Sequence, residues 1–354
     1  MKNIQLILFG IGNVGGTLID QIIAQKEKLR QQHIDLQFSA ILNSSNVFFP
    51  SHNLTSSWRA SFEENSMSYT FNDVLKHIQK IEDKIIIAID ATASDEVVNK
   101  YETLIEAGCH LVSANKIANT ISYDFYIRLR KKLSLHQRQF EYETNVGAGL
   151  PVIETVKKLH QSGDEITKVR GVFSGSLSYL FNRFSSEEVP FSQLIKDAKV
   201  NGYTEPDPRD DLSGKDVGRK LLILARELQL EKEFKDVQIQ SLIPPHLNGE
   251  STVAQFEERM DELDVLYGEE KSTSTDKVLR YIGELDVSKE ALSVSLQNEH
   301  TGSAIGQLQG ADNVVEIYTK DYDQHPLVIK GAGAGGAVTA RGVFNDILKV
   351  VSQC

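Results

Sequence analysis

Short apolar runs alternate with amphipathic stretches over the first 150 residues. Ile4–Phe9 (IQLILF) ends at glycines and predicts a buried strand; Leu18–Leu29 then predicts a helix. Leu36–Leu42 and Lys84–Asp90 (KIIIAID) predict two more strands, and Glu96–Ala107 a helix closed by Gly108, a fitting residue just past a helix end. His110–Ser113 and Gln139–Glu143 predict further strands. Continuous apolar strands alternating with helices predict a parallel sheet covered on both faces. After Pro151 the pattern changes. Helical periodicity dominates to about Leu266, followed by strand-like runs at Val278–Leu285, Leu292–Leu296, Val314–Thr319 and Leu327–Lys330. Consecutive strands without intervening helices predict an antiparallel sheet in an α+β domain. Val338–Val351 predicts one last helix.

Composition narrows the partners. The 354 residues carry 49 acidic and 38 basic side chains, a formal net charge of −11. Such a chain repels phosphate backbones, and the short basic run Arg128–Lys132 reads as a solvated helix face, so no nucleic-acid partner is expected. Two scattered cysteines, Cys109 and Cys354, give neither a disulfide framework nor metal spacing and fit a reducing compartment. The longest wholly aliphatic run, Ile85–Ile89, is far below the roughly 20 residues of a membrane span. The apolar start is interrupted at Gly10, Gly12, Gly15 and Gly16 with no cleavage site after it. The expected location is the cytoplasm, with no membrane partner.

Chemistry-bearing motifs refine this. Gly10-Ile11-Gly12-Asn13-Val14-Gly15 is a G-x-G-x-x-G between a predicted strand and a predicted helix. That context points to dinucleotide binding. The first glycine turns, the second admits the pyrophosphate, the third packs the helix, and the helix N-terminus faces the phosphates. A Gly-rich turn of another α/β protein is the bland alternative. The second strand ends in Leu42-Asn43-Ser44-Ser45-Asn46, with no acid to hold a ribose and no adjacent arginine; Arg59 is the next one. This favours NADP(H) weakly over NAD(H). Thr92 and Ser94 follow the strand ending at Asp90; Thr92 is assigned to the cofactor and Ser94 to helix capping. Lys116, in Ser113-Ala114-Asn115-Lys116, ends the next strand, although most such lysines are merely solvated. The densest segment, Gly202–Lys220, places Glu205, Asp207, Asp210, Asp211 and Asp216 around two prolines. Ser213 with Asp216 reads as a capping box opening a helix to about Leu228. Asp216 and Lys220 then share one face, ordinarily a minor surface pair. Gly331–Gly336 (GAGAGG) suits either close approach to a ligand or a tight turn.

In order along nearly the whole chain, GIGNVG, SANK, ETNVGAGLPVI (Glu143–Ile153), GVFSGSLSY (Gly171–Tyr179), GYTEPDPRDDLSGKDVGRK and GAGAGGAVTARGV resemble homoserine dehydrogenase. Ser113 and Ser176 depart from the family pattern, each standing where threonine is expected and keeping the hydroxyl. The resemblance implies an α/β Rossmann-type dinucleotide-binding domain (1–150 with 331–354) plus an α+β catalytic and dimerisation domain (151–330). It implies NAD(P)-dependent interconversion of L-aspartate 4-semialdehyde and L-homoserine, by a homodimer. By resemblance Lys220 is the proton donor, with Lys116 also considered. Glu205 and Asp216, with Asp211, hold the small amino-acid substrate. Gly10, Gly12, Asn13, Val14, Gly15, Thr92, Lys116, Gly202 and Gly335 lie at the cofactor. A monovalent cation (Na+ or K+) is implied at Glu143, Val146, Ala148 and Leu150. The length leaves no room for an aspartokinase or a C-terminal regulatory domain, so no feedback through either is expected. Two rivals remain: a phosphorylating semialdehyde dehydrogenase, which needs a cysteine nucleophile, and a non-catalytic NAD(P)-sensing module.

Overall fold

The computed structural model describes residues 1–82, 84–248, 251–271 and 276–354. It divides into two compact units, Met1–Gly149 with Gly335–Cys354, and Leu150–Ala334.

The first unit is built on strands β1 (Lys2–Phe9), β2 (Ile34–Leu42), β3 (Asn46–Phe48), β4 (Met67–Ser68), β5 (Ile85–Asp90), β6 (Cys109–Ser113) and β7 (Phe140–Glu141). Their order is β4-β3-β2-β1-β5-β6-β7. β2, β1, β5, β6 and β7 are parallel, whereas β3 and β4 form an antiparallel edge that the sequence pattern did not predict. The chain leaves β1 for β2 on one side and reaches β5 on the other, so the loop after β1 lies at the switch in strand order. In open α/β sheets that is where ligands bind. Ile4, Leu6 and Leu8 of β1 are fully buried beneath Leu18 and Ile19 of helix Asn13–Gln31 and Val343, Ile347 and Val350 of helix Gly336–Gln353.

Two expected elements differ. The helix expected at Glu96–Ala107 is two short ones, Asp95–Val98 and Tyr101–Glu106. The break turns Tyr101 inward, where its hydroxyl donates to buried Asp90. The strand expected at Gln139–Glu143 shrinks to β7, because Glu143–Asn145 close into a 3-10 turn.

The second unit carries β8 (Ile166–Val172), β9 (Val237–Ile239), β10 (Lys277–Asp286), β11 (Ala291–His300), β12 (Asp312–Thr319) and β13 (Leu327–Ala332), in the order β13-β12-β8-β10-β11-β9. All neighbours are antiparallel except the short β9, which runs parallel to β11. β8 lay inside the stretch expected to be helical. It is central, and its mixed sequence ITKVRGV hides a buried strand because Lys168 and Arg170 point to the other face from Val169. Helix Lys215–Glu227 covers one face. Gly283 of β10 permits this: a Cβ there would sit 3.0 Å from Val217 Cγ1. On the opposite face buried Arg280 donates to the carbonyls of Ile305, Gly306 and Leu308 and to Phe181 O, pinning the loop 301–311 over Val172, Ile282 and Val314. Among the described residues no helix is long and apolar enough to cross a membrane.

Candidate active site

The first unit supplies a nucleotide cradle. Gly10 adopts φ +92°, and its N–H donates to Leu42 O at 2.9 Å, which swings the chain off β1. A Cβ on Gly15 would run into the Gly10 carbonyl oxygen, so this glycine seats the helix against the strand. At Gly12 a Cβ would meet nothing within 4 Å. Gly12 is exposed and is the N-cap of helix Asn13–Gln31, which has no side-chain cap. The three glycines thus do three different things, and the middle one leaves the space and the N–H groups that a pyrophosphate needs. The last glycines belong to the same cradle. A Cβ on Gly336 would fall 2.5 Å from Asn13 Oδ1, and Gly335 sits at φ +117°. Val14 is half-buried beside them.

Ser94 caps the helix at Asp95, accepting from Glu96 N at 3.2 Å. The Thr92 hydroxyl donates to Asp90 Oδ1 at 2.6 Å, so what Thr92 offers a cofactor is set by Asp90. Lys116 is the N-cap residue of helix Ile117–Thr120, immediately after β6. At the end of β2, Asn43 Oδ1 accepts from the N–H groups of Ser45 and Asn46 and forms the turn into β3. Arg59 pairs with Asp20 at 2.8 Å.

The second unit gathers the acid-rich segment. Asp207 caps helix Pro208–Leu212 and clamps Arg209, so neither is presented as a site residue. Asp211 is bound by Ser176 Oγ at 2.6 Å and by the Glu205 N–H at 2.9 Å. Burial pushes its carboxyl above the usual range; Ser176 and Glu205 pull it back, while Asp216 and Asp210 add to the rise. Asp211 therefore fixes the loop that carries exposed Glu205. The expected capping box is absent. Gly214 at φ +70° is the N-cap, and the Ser213 hydroxyl instead donates to Asp210 O and accepts from Lys215 N. The reason is packing: a Cβ on Gly214 would strike the Tyr281 hydroxyl, and one on Gly218 would fall 2.7 Å from Ile239 Cδ1. The helix thereby lies close to the sheet and directs Lys220 inward. Lys220 is only 7 % exposed. Its Nζ donates to Phe173 O at 2.6 Å and lies 2.8 Å from Asp216 Oδ2. Asp216, 46 % exposed, joins this buried ammonium to solvent. Gly202, at φ +70°, precedes Tyr203, which stacks on Tyr179 at 4.2 Å.

The residues expected to hold a cation, Glu143, Val146, Ala148 and Leu150, follow one another closely along the chain. Val146 and Ala148 have no side-chain oxygen, so only their carbonyls could serve a hard ion. Gly147 and Ala148 take φ +80° and +53°, curling this segment after Glu143. Asp346, which accepts the Glu143 N–H at 2.9 Å, is pushed well above the carboxylate range by burial and then by Glu143 and Glu141. One carboxylate and the carbonyls of a tightly turned segment are the oxygen donors a hard monovalent ion takes, so the residues fit. Leu150 begins the other unit. Among the described residues no group of three or more His, Cys, Asp or Glu could hold a metal, so such a site rests on carbonyls.

Sequence reasoning missed the Phe173 carbonyl, the hold of Ser176 on Asp211, and Asp346. Ser176 carried a signal, since the family pattern keeps a hydroxyl there. A carbonyl carries none.

Residues 151–348 match the family model described as homoserine dehydrogenase, and residues 10–143 the one described as homoserine dehydrogenase, NAD binding domain. A bifunctional aspartokinase/homoserine dehydrogenase of Buchnera aphidicola is 36% identical over 354 residues, covering 99% of this chain and 43% of its own. The chain thus spans less than half the length of that relative. A homoserine dehydrogenase of Saccharomyces cerevisiae is 35% identical and covered to 99% on both sides. A hyperthermophilic archaeal homoserine dehydrogenase solved in complex with NADPH superimposes with a TM-score of 0.75 at 21% identity, over 99% of this chain and 98% of that one, a likeness of fold. The chain belongs to the homoserine dehydrogenase family.

Proposed function

We propose that the protein reduces L-aspartate 4-semialdehyde to L-homoserine reversibly with NADPH. The observation that carries this reading is Lys220, a buried ammonium held between a carbonyl and the half-exposed Asp216 carboxylate. A bound nicotinamide dinucleotide supplies the hydride to the aldehyde carbon. Lys220 donates a proton to the carbonyl oxygen as it becomes an alkoxide. Asp216 favours the charged form of that donor. Glu205 and Asp216 recognise the substrate ammonium and so select an amino-acid aldehyde over a plain one. Lys116 is the second ammonium assigned to the reaction. The Gly10–Gly15 loop, Thr92, Gly202 and Gly335 hold the cofactor. NADPH is favoured because Asn43 is a turn-former and no carboxylate ends β2 to repel a 2′-phosphate; the NADPH complex of the archaeal relative agrees. The carbonyls of Val146, Ala148 and Leu150 with Glu143 are assigned to Na+ or K+.

Two features weigh against the rivals. Cys109 is buried, and burial pushes its thiol up to about 12, which disqualifies it as a nucleophile. A sensing module has no use for a buried lysine beside an acid-rich loop. The test is an assay with aspartate semialdehyde and NADPH, the product identified. Homoserine formation is expected; cofactor binding without turnover would defeat the reading.

The second unit is also assigned to a homodimer. Its edge strand β13 alternates half-buried and exposed positions, with Val328 left 44% exposed, and such an edge invites pairing. Light scattering at micromolar concentration should give twice the 39.5 kDa of one chain. A fully active species of single-chain mass would refute it.

A further inference from the structure

Asp90 ends β5 and is 3% exposed, yet none of the steps above uses its carboxylate. Burying a carboxylate is costly unless it is hydrogen-bonded on all sides. Here four donors converge. Oδ1 accepts from Thr92 N at 2.8 Å and Thr92 Oγ1 at 2.6 Å; Oδ2 accepts from Tyr101 OH at 2.8 Å and Asn115 Nδ2 at 3.0 Å. Burial still pushes the carboxyl above its usual range, and these donors oppose the rise.

The donors come from two different loops. Thr92 belongs to the segment leaving β5. Asn115 belongs to the segment leaving β6, and it also donates to Ser94 O at 2.9 Å and accepts the Ile117 N–H at 3.0 Å. Tyr101 stands behind both, its hydroxyl 2.8 Å from Ser113 Oγ, which accepts the Asn115 N–H at 3.0 Å. Lys116 is the next residue. These loops sit at the carboxyl ends of adjacent parallel strands, where open α/β sheets bind ligands. The Ser113 hydroxyl, kept where threonine is expected, is part of the same set.

We propose that Asp90, seconded by Tyr101, is a positioning residue that locks the Thr92 loop and the Asn115–Lys116 loop to each other and so sets the cofactor-side geometry of the site. The inference rests on the dehydrogenase reading, but its test has an arm that does not. Asp90→Asn keeps the shape and sets a donor against Asn115 Nδ2. We expect NADPH affinity, titrated by fluorescence, to fall by about tenfold or more, and kcat to fall by at least as much, the loss of a buried charged acceptor. The KM for the semialdehyde should stay within about twofold, because Glu205 and Asp216 lie on the other unit. A purely structural role would lower kcat with the folded fraction and leave NADPH affinity unchanged in the folded protein; that result, or wild-type values throughout, overturns the proposal. If Asp90→Asn does not fold, Tyr101→Phe decides. It removes one hydroxyl and should weaken NADPH binding about threefold; unchanged affinity there refutes the idea. If the wild type binds NADPH but makes no homoserine, the dehydrogenase reading fails while the titration still tests Asp90.

Discussion

Lys220→Ala is expected to lower kcat by about 10²–10⁴-fold, the usual contribution of one positioned acid or base. The expectation follows from three features of the side chain. It is buried, its ammonium is held at 2.6 Å by Phe173 O, and it lies 2.8 Å from Asp216. A surface ion pair of the same sequence spacing would contribute a few tenths of a kcal/mol and nothing to turnover. The substitution leaves Phe173 O without this donor, a cost of about 1–3 kcal/mol. A thermal melt should therefore show a modest loss of stability in a protein that remains folded. NADPH affinity should hold, since the Gly10–Gly15 cradle belongs to the first unit. A variant retaining more than about a tenth of wild-type kcat would remove Lys220 as proton donor and pass the role to Lys116.

The legibility of this site in the sequence follows from the range of the interactions. Asp216 and Lys220 are four residues apart on one helix, and that spacing alone brings them together. The Gly10–Gly15 loop is equally local, because a strand, three glycines and a helix fix it. The capping-box pattern at Ser213 misleads because the local signal competes with a distant one: Tyr281 and Ile239 demand glycine at 214 and 218, and neither is near in sequence. Tyr101 fails for the same reason. Its partner Asp90 lies 11 residues away on a strand, and that contact breaks a helix whose periodicity looked continuous. β8 was lost because a central strand with a charged face does not show the apolar run of a parallel strand. Phe173 O could not be read at all, since any residue has a carbonyl.

The second large effect separates the glycines of the cradle. Gly12→Val should weaken NADPH binding by about 100-fold, equivalent to ~2.7 kcal/mol, in a protein that still folds. At Gly12 the backbone is at φ −69°, open to any L residue, and a Cβ there touches nothing within 4 Å. The folded chain therefore tolerates the side chain, with a cost of up to about 1 kcal/mol for a poorer N-cap. What it obstructs is the approach of a pyrophosphate to the helix N-terminus. Gly15→Ala is the opposite case. Its Cβ would run into the Gly10 carbonyl oxygen, so helix and strand must part, at a cost of about 1–3 kcal/mol. Fluorescence titration with NADPH beside a thermal melt distinguishes them: affinity lost with stability kept at Gly12, stability lost first at Gly15. A folded Gly12→Val protein that binds NADPH as the wild type does would reduce the loop to a turn, because the open space at Gly12 would then have no ligand to serve.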